Sequence, residues 1–286
     1  FFQGIISRID SYSLKNFLPR LPPYKYLHLK NIKSVTGRTV EGYAIMCPLM
    51  PEQIISRNPS DAIAKVVQSC LLAKKLGAKI IGLGGFTSIV GNGGEDITKR
   101  IDIPLTSGNT YTASLVVDGI LRAAQKMEAD LKDKTVLVVG ATGDIGSICS
   151  KILAGYFHRM ILVARNQDNL TSLKNLILEH NKIDINTSTD LEPYIKSADF
   201  IITVTSALTT IVNAYDLKRG AVLCDVAYPA NINMEIASQR SDIFVFEGGL
   251  ASAKCLKELP SSVRRKIAIF NPSGAIHGCL SETILL

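Results

Sequence analysis

Three glycines spaced Gly140-x-x-Gly143-x-x-Gly146 lie between an apolar run, Val136-Leu137-Val138-Val139, and the apolar-periodic segment Ile145–Phe157. The spacing suits phosphate binding. Gly140 lets the chain turn off a strand, Gly143 lets the backbone approach a pyrophosphate, and Gly146 lets a helix pack close to the sheet. The helix start adds unpaired N–H groups and the positive end of its dipole. Gly140, Thr142, Gly143, Asp144, Ile145 and Gly146 are therefore the expected cofactor cradle. The next strand, Met160–Arg165, ends in Arg165-Asn166, with no carboxylate before Asp168. An NAD site usually places Asp or Glu there, against the ribose 2′-OH. A guanidinium instead suits a 2′-phosphate through bidentate, charge-assisted bonds. The expected cofactor is NADPH, with Arg165 at the 2′-phosphate and Asn166 beside it. A solvated surface arginine is the alternative reading of Arg165.

These residues need a particular scaffold. After the glycine turn the pattern alternates: helix Leu170–Glu179, strand Ile183–Asn186, helix Leu191–Lys196 and strand Phe200–Thr205, then strands Ala221–Val226 and Ile243–Phe246. Such alternation predicts an α/β, Rossmann-type doubly wound parallel sheet, with a second, smaller α/β substrate domain before it. Thr205-Ser206 follows a strand's carboxyl end, where such sheets bind ligands, and joins the cofactor residues. Asp225-Val226-Ala227-Tyr228-Pro229 occupies the same kind of position.

Upstream, Leu18–Tyr26 carries Pro19, Pro22 and Pro23 and reads as a break in regular structure. Thr39–Met46 reads as a strand. Ser60-Asp61 caps a helix to Leu76 with Ile63, Val66, Val67, Cys70 and Leu71 on one face. Lys79–Leu83 reads as a strand that ends in Gly84-Gly85-Phe86-Thr87-Ser88. Thr106-Ser107-Gly108-Asn109-Thr110 then opens a helix to about Met127. Its N–H groups and hydroxyls are expected to face a cleft between the domains, where Asn109 and Thr110 can meet a developing oxyanion. The boundaries follow: a substrate domain over 1–108, to which 250–286 returns, and an NADP-binding domain over 109–249.

The chain's 286 residues and 47% apolar content accommodate two modest domains. No run approaches the ~20 apolar residues of a membrane span. The start, Phe1–Arg8, lacks the charged and apolar regions of a signal peptide, and a cytoplasmic protein is expected. The six cysteines (47, 70, 149, 224, 255 and 279) have neither paired nor metal-ligand spacing, so reduced thiols are expected and no metal. The formal charge of +7 has two foci. Arg8, Lys15, Arg20, Lys25, Lys30, Lys33 and Arg38 form one, and Lys254, Lys257, Arg264, Arg265 and Lys266 the other. Together they can steer an acidic partner. Without a recognisable binding motif or interleaved aromatic platform, nucleic acid is not expected.

Several segments together resemble the long-chain acyl-(acyl-carrier-protein) reductases, the fatty-aldehyde-forming enzymes known from cyanobacteria. They are Leu83-Gly84-Gly85-Phe86-Thr87-Ser88-Ile89, Thr106-Ser107-Gly108-Asn109-Thr110, Val139-Gly140-Ala141-Thr142-Gly143-Asp144-Ile145-Gly146-Ser147 and Ala164-Arg165-Asn166. The first two are more specific than the glycine fingerprint, and weaker similarity runs through both ends of the chain. The resemblance implies a cysteine that takes the acyl group from a carrier thioester, and NADPH-dependent reduction of that thioester to an aldehyde. The matching context is Gly278-Cys279-Leu280-Ser281-Glu282-Thr283. By residue type alone, a cysteine in an apolar helix is a core residue. The resemblance makes Cys279 the acyl acceptor and leaves Cys255 the second candidate. His277, two residues away, lies off the helical face of Cys279 and is not assigned as a base.

The chain stops seven residues past Cys279, where the family continues, and Lys257–Lys266 matches the family poorly. The expected function is NADPH-dependent reduction of a fatty acyl thioester, with acyl carrier protein or acyl-CoA as donor. Chain length, carrier and oligomeric state stay open. Two rivals remain: an NADP-dependent dehydrogenase of a small polar substrate, and a non-catalytic NADP(H)-binding regulatory protein. The first needs a convergent Lys/Asp or Arg pair, and the sequence identifies none.

Overall fold

The computed structural model describes residues 16–34, 36–56, 59–268 and 274–286. The chain forms two compact units of nearly equal length: one runs to Gly108 and resumes over Ala251–Leu286, and the other is Asn109–Leu250.

The first unit opens on an antiparallel hairpin, β1 (Tyr24–Lys33) and β2 (Thr39–Met46), with His28 opposite Tyr43 and bulges on either side of that region. The prolines nearby do not prevent this strand. Leu18–Arg20 makes a short 3₁₀ turn, and β1 begins directly after Pro22-Pro23, at Tyr24. Helix α1 (Pro59–Lys75) buries Ala62, Ile63, Val66, Cys70 and Ala73. Leu71, expected on that face, is 48% exposed, because the inward arc turns through the smaller Ala62 and Ala73 instead. Strand β3 is only Ile81–Gly82, shorter than Lys79–Leu83, since its parallel partner β4 (Leu105–Thr106) offers just two residues. Two apolar clusters hold this unit. One joins α1 to Ile81, Leu83, Val90 and Ile97; the other joins β1 to Leu256, Leu259, Ile267 and Ile276.

The second unit begins with helix α2 (Asn109–Lys126). It continues with β5 (Thr135–Val139), α3 (Asp144–Leu153), β6 (Arg159–Val163), α4 (Gln167–Leu178) and β7 (Asp184–Ser188). Strands β8 (Phe200–Thr203), β9 (Val222–Asp225) and β10 (Phe244–Glu247) complete a six-stranded parallel sheet in the order β7-β6-β5-β8-β9-β10. This is the doubly wound Rossmann order, which reverses between β5 and β8. The period of two shows why these sequences make strands. Val136, Val138, Met160, Leu162, Phe200 and Ile202 enter one apolar cluster, while Leu137, Val139, Ile161, Val163 and Ile201 enter the cluster on the opposite face. Each such buried side chain contributes roughly 1.5–3 kcal/mol, which makes the sheet a firm base for the loops at its carboxyl edge.

In the first unit the chain ends in helix α5 (Gly278–Leu285), whose Leu280 and Ile284 pack against the second apolar cluster. No helix of the described residues is long and apolar enough to cross a membrane.

Candidate active site

In the second unit, each glycine of the turn after β5 has a different constraint. Gly140 has φ +88°, and a Cβ there would lie 2.6 Å from the carbonyl oxygen of Val204. A Cβ on Gly146 would lie 2.3 Å from the carbonyl oxygen of Gly140. Both must be glycine for the protein's own packing. Gly143 differs: it has ordinary backbone angles, and its added Cβ would meet only the Gly140 oxygen, at 3.4 Å. Its smooth face is not required by any protein neighbour, as expected where a pyrophosphate approaches the backbone. The Gly140 N–H donates to Val163 and the Gly143 N–H to Gly140, and no side chain caps α3. The first-turn N–H groups of Asp144, Ile145 and Gly146 thus point forward for an anion.

The neighbouring expected residues divide into two kinds. Arg165 is exposed at the carboxyl end of β6, and no side-chain partner holds its guanidinium among the described residues. Asn166 caps α4, its Oδ1 accepting the Asn169 N–H at 2.8 Å, so its side chain is already committed to the fold. Thr205 donates to Asn231 at 2.7 Å and accepts the Ala207 N–H at 3.1 Å, which shapes the turn beside Gly140; Ser206 follows, half-buried. Buried Asp225 anchors the adjacent loop by accepting from Thr203 at 2.7 Å and from the Asn231 N–H at 2.7 Å. Asn231 is fully buried, yet its Nδ2 has no partner. A glycine cradle with one open face, an exposed guanidinium and a polar turn at the sheet's reversal point fit an NAD(P)-type dinucleotide.

In the first unit, Cys279 is the second residue of α5 and is half-buried. The two segments that carry the specific resemblance close around it. A Cβ on Gly84 would lie 3.7 Å from Cys279 Sγ, and one on Gly108, where φ is +72°, would lie 2.2 Å from Cys279 Cα. Gly84 and Gly85 are exposed, so the sulfur sits behind a turn without side chains. Behind it, Thr106 donates to the carboxylate of Glu282 and accepts the Gly108 N–H at 3.1 Å, while Thr283 donates to the Cys279 carbonyl at 2.9 Å. These bonds fasten the start of α5 to the end of β4.

Burial pushes the Cys279 thiol up, and the Glu282 charge adds a little; the backbone N–H groups of Gly85, Leu280 and Cys279 itself pull the other way. The net direction is upward, so the thiol rests protonated at neutral pH, surrounded by donors that favour negative charge once it forms. Alkylation of Cys279 by iodoacetamide, followed by peptide mass, should therefore climb about tenfold per pH unit from pH 7 towards 9. A plateau near neutrality would show a thiolate already present. Burial also pushes Cys70 up to about 11 and Cys149 up to about 12, and Cys224 higher still; they are inert core thiols. Cys255 is half-buried and packs against the hairpin cluster.

Asn109 and Thr110 begin α2 in the second unit. The Asn109 side-chain amide donates to Asp144 in the glycine turn at 2.8 Å, and Thr110 is exposed with no side-chain bond among the described residues. The Asn109 amide therefore braces the nucleotide turn, a role that its place in the sequence does not reveal. Nor did sequence reasoning give Gly84, Gly85 and Glu282 roles around Cys279. The signal was the unexplained specificity of the Leu83–Ile89 segment.

The family model described as shikimate / quinate 5-dehydrogenase matches residues 122–247. The long-chain acyl-(acyl-carrier-protein) reductase of Synechococcus elongatus is 32% identical over 269 residues, which are 89% of this chain and 75% of that protein. The aminotransferase PigE of a Serratia species is 27% identical over 97% of this chain but only 31% of its own length. Among solved structures, a dipicolinate synthase component from Bacillus halodurans has a TM-score of 0.44 at 16% identity, covering 72% of this chain and 64% of that one.

Proposed function

Because the chain belongs to the long-chain acyl-(acyl-carrier-protein) reductase family, and is an NAD(P)-dependent oxidoreductase, we propose that it reduces a fatty acyl thioester to a fatty aldehyde through an acyl group carried on Cys279. The observation that carries this reading is the convergence of Gly84, Gly85 and Gly108 on the Cys279 sulfur and backbone. The donor is acyl carrier protein or acyl-CoA.

The chemistry follows from the site. As the Cys279 proton leaves to solvent, the thiolate forms a bond to the acyl carbon and the donor's S–C bond breaks. The departing thiolate takes up a proton. One thioester replaces another, so the exchange is close to thermoneutral. The backbone at Gly85 and Leu280 pulls the thiol's pKa down against its burial, so it favours negative charge at this sulfur. The side-chain-free turn at Gly84-Gly85 leaves room for a bulky donor. Gly140, Thr142, Gly143, Asp144, Ile145 and Gly146 would hold the cofactor's pyrophosphate, Arg165 its 2′-phosphate, and Thr205 and Ser206 its far half. Bound there, NADPH supplies the reducing equivalent. Asn109 acts on this reading through Asp144, and Asn166 through the helix that it caps.

The unpartnered Arg165 makes cofactor choice testable. NADPH should bind more tightly than NADH, and Arg165→Ala should narrow that gap by about 1–3 kcal/mol, the range for hydrogen bonds between charged groups. Titration by cofactor fluorescence reads both affinities, and equal affinities in the parent protein would sink the assignment.

A further inference from the structure

Asn231 is fully buried, and it ties together the loops that follow β8 and β9. Its side-chain oxygen accepts from Thr205, in the turn after β8. Its backbone N–H donates to Asp225, the last residue of β9, and its carbonyl accepts the N–H groups of Ile211 and Val212 at 2.9 and 3.0 Å. Asp225 also accepts from Thr203 and from the Ala227 N–H at 3.1 Å. The two loops are therefore one hydrogen-bonded piece that meets at Asn231.

The direction of these bonds explains the residue type. The Thr205 hydroxyl accepts the Ala207 N–H, so its own proton needs an acceptor elsewhere. A carboxylate at position 231 would be a second buried negative charge beside Asp225. An amide supplies the acceptor without charge, and it leaves Nδ2 buried with no hydrogen-bond partner among the described residues. An unpaired buried donor of this kind costs stability. A side chain kept at that cost marks a constraint beyond folding.

The constraint lies at Thr205. A Cβ on Gly140 would lie 3.2 Å from the Thr205 methyl and 2.6 Å from the Val204 carbonyl oxygen, so this turn packs against the glycine turn where the sheet reverses. In a doubly wound sheet, one mononucleotide half of the cofactor lies on each side of that point. The glycine turn and Arg165 serve the side of β5, β6 and β7. The loops joined at Asn231 serve the side of β8 and β9.

Resting on the cofactor placement above, we propose that Asn231 is a positioning residue for the nicotinamide of the cofactor. Acting through Thr205, it fixes the pair of loops that receives the ring, and it takes no part in holding the adenosine half.

The test is a binding experiment without acyl donor, so its outcome does not depend on the thioester reading. Asn231→Ala is compared with the parent by titration calorimetry against NADPH and against 2′-phospho-ADP-ribose, which lacks only the nicotinamide. NADH and ADP-ribose serve in the same way if the parent prefers NADH. Melting curves show whether each variant folds. Asn231→Ala should bind the dinucleotide at least about tenfold more weakly, with the affinity for the fragment unchanged. Thr205→Val, which removes the hydroxyl and keeps the shape, should give the same split, and it keeps the test decisive if Asn231→Ala does not fold. The double variant should lose no more than the larger single loss. Equal losses for dinucleotide and fragment would make Asn231 a support of the whole cradle. Undiminished binding of the dinucleotide would mean that other groups place the ring, and additive losses that Asn231 does not act through Thr205. Each of these overturns the proposal. A parent that binds neither dinucleotide would overturn the cofactor placement and the proposal with it.

Discussion

Replacing Cys279 by serine should abolish aldehyde formation, by at least about a thousandfold, while the protein still folds and still binds NADPH. The size of the effect follows from removing the nucleophile, since the remaining binding and polarising groups act through it. A hydroxyl ionises far less readily than a thiol. Folding should survive because serine is nearly isosteric and the site is only half-buried. The predicted cost in stability is about 1 kcal/mol. Cofactor binding should survive because the glycine cradle belongs to the other compact unit. Product analysis by mass, with melting and cofactor titration beside it, checks all three parts. Full turnover by Cys279→Ser would transfer the reduction to a bound carbonyl that is never attached to this residue.

The second large effect separates two glycines that look equivalent in sequence. Gly146→Ala should destabilise the protein by about 1–3 kcal/mol, the range for overpacking, because its Cβ would lie 2.3 Å from a backbone oxygen that cannot swing away. Gly143→Ala should leave the melting temperature nearly unchanged, its Cβ meeting protein only at 3.4 Å and its φ of −74° suiting alanine. That methyl would instead occupy the face where the pyrophosphate approaches, so NADPH affinity should fall about tenfold to a hundredfold as hydrogen bonds to charged oxygens lengthen. Melting curves and cofactor titrations of the two variants decide the matter. A Gly143→Ala protein that binds NADPH as the parent does would mean that the turn carries no cofactor at that point.

The nucleotide half was legible because its signals are local. Strand, glycine turn and helix are adjacent in sequence, and the full burial of Val136 to Val139 on two faces reads directly as an uninterrupted apolar run. The hairpin strand β1 was not legible. The prolines before it suggest a break, and its alternation is blurred by two bulges, so Ile32 falls out of the period of two set by Leu27 and Leu29. The cysteine site was legible only as a set of unconnected segments. Thr106 and Glu282 are 176 residues apart, and nothing short of the fold brings Gly84 and Gly108 to the same cysteine. Asn109 shows the limit of reading by position. Its place at a helix start suggests an oxyanion contact, and only the fold adds the bond from its amide to Asp144. The two basic segments are plain in the sequence, and only the contact between Tyr26 and Lys266 shows that they meet.

The central claim is that Cys279 carries the acyl group, and the most direct measurement is the mass of the protein after incubation with a long-chain acyl thioester in the absence of NADPH. The account predicts a single acyl adduct that peptide mapping places on Cys279, absent from Cys279→Ser and discharged when NADPH is added. An adduct on Cys255, or aldehyde formed by a protein that never acquires an adduct, would contradict it.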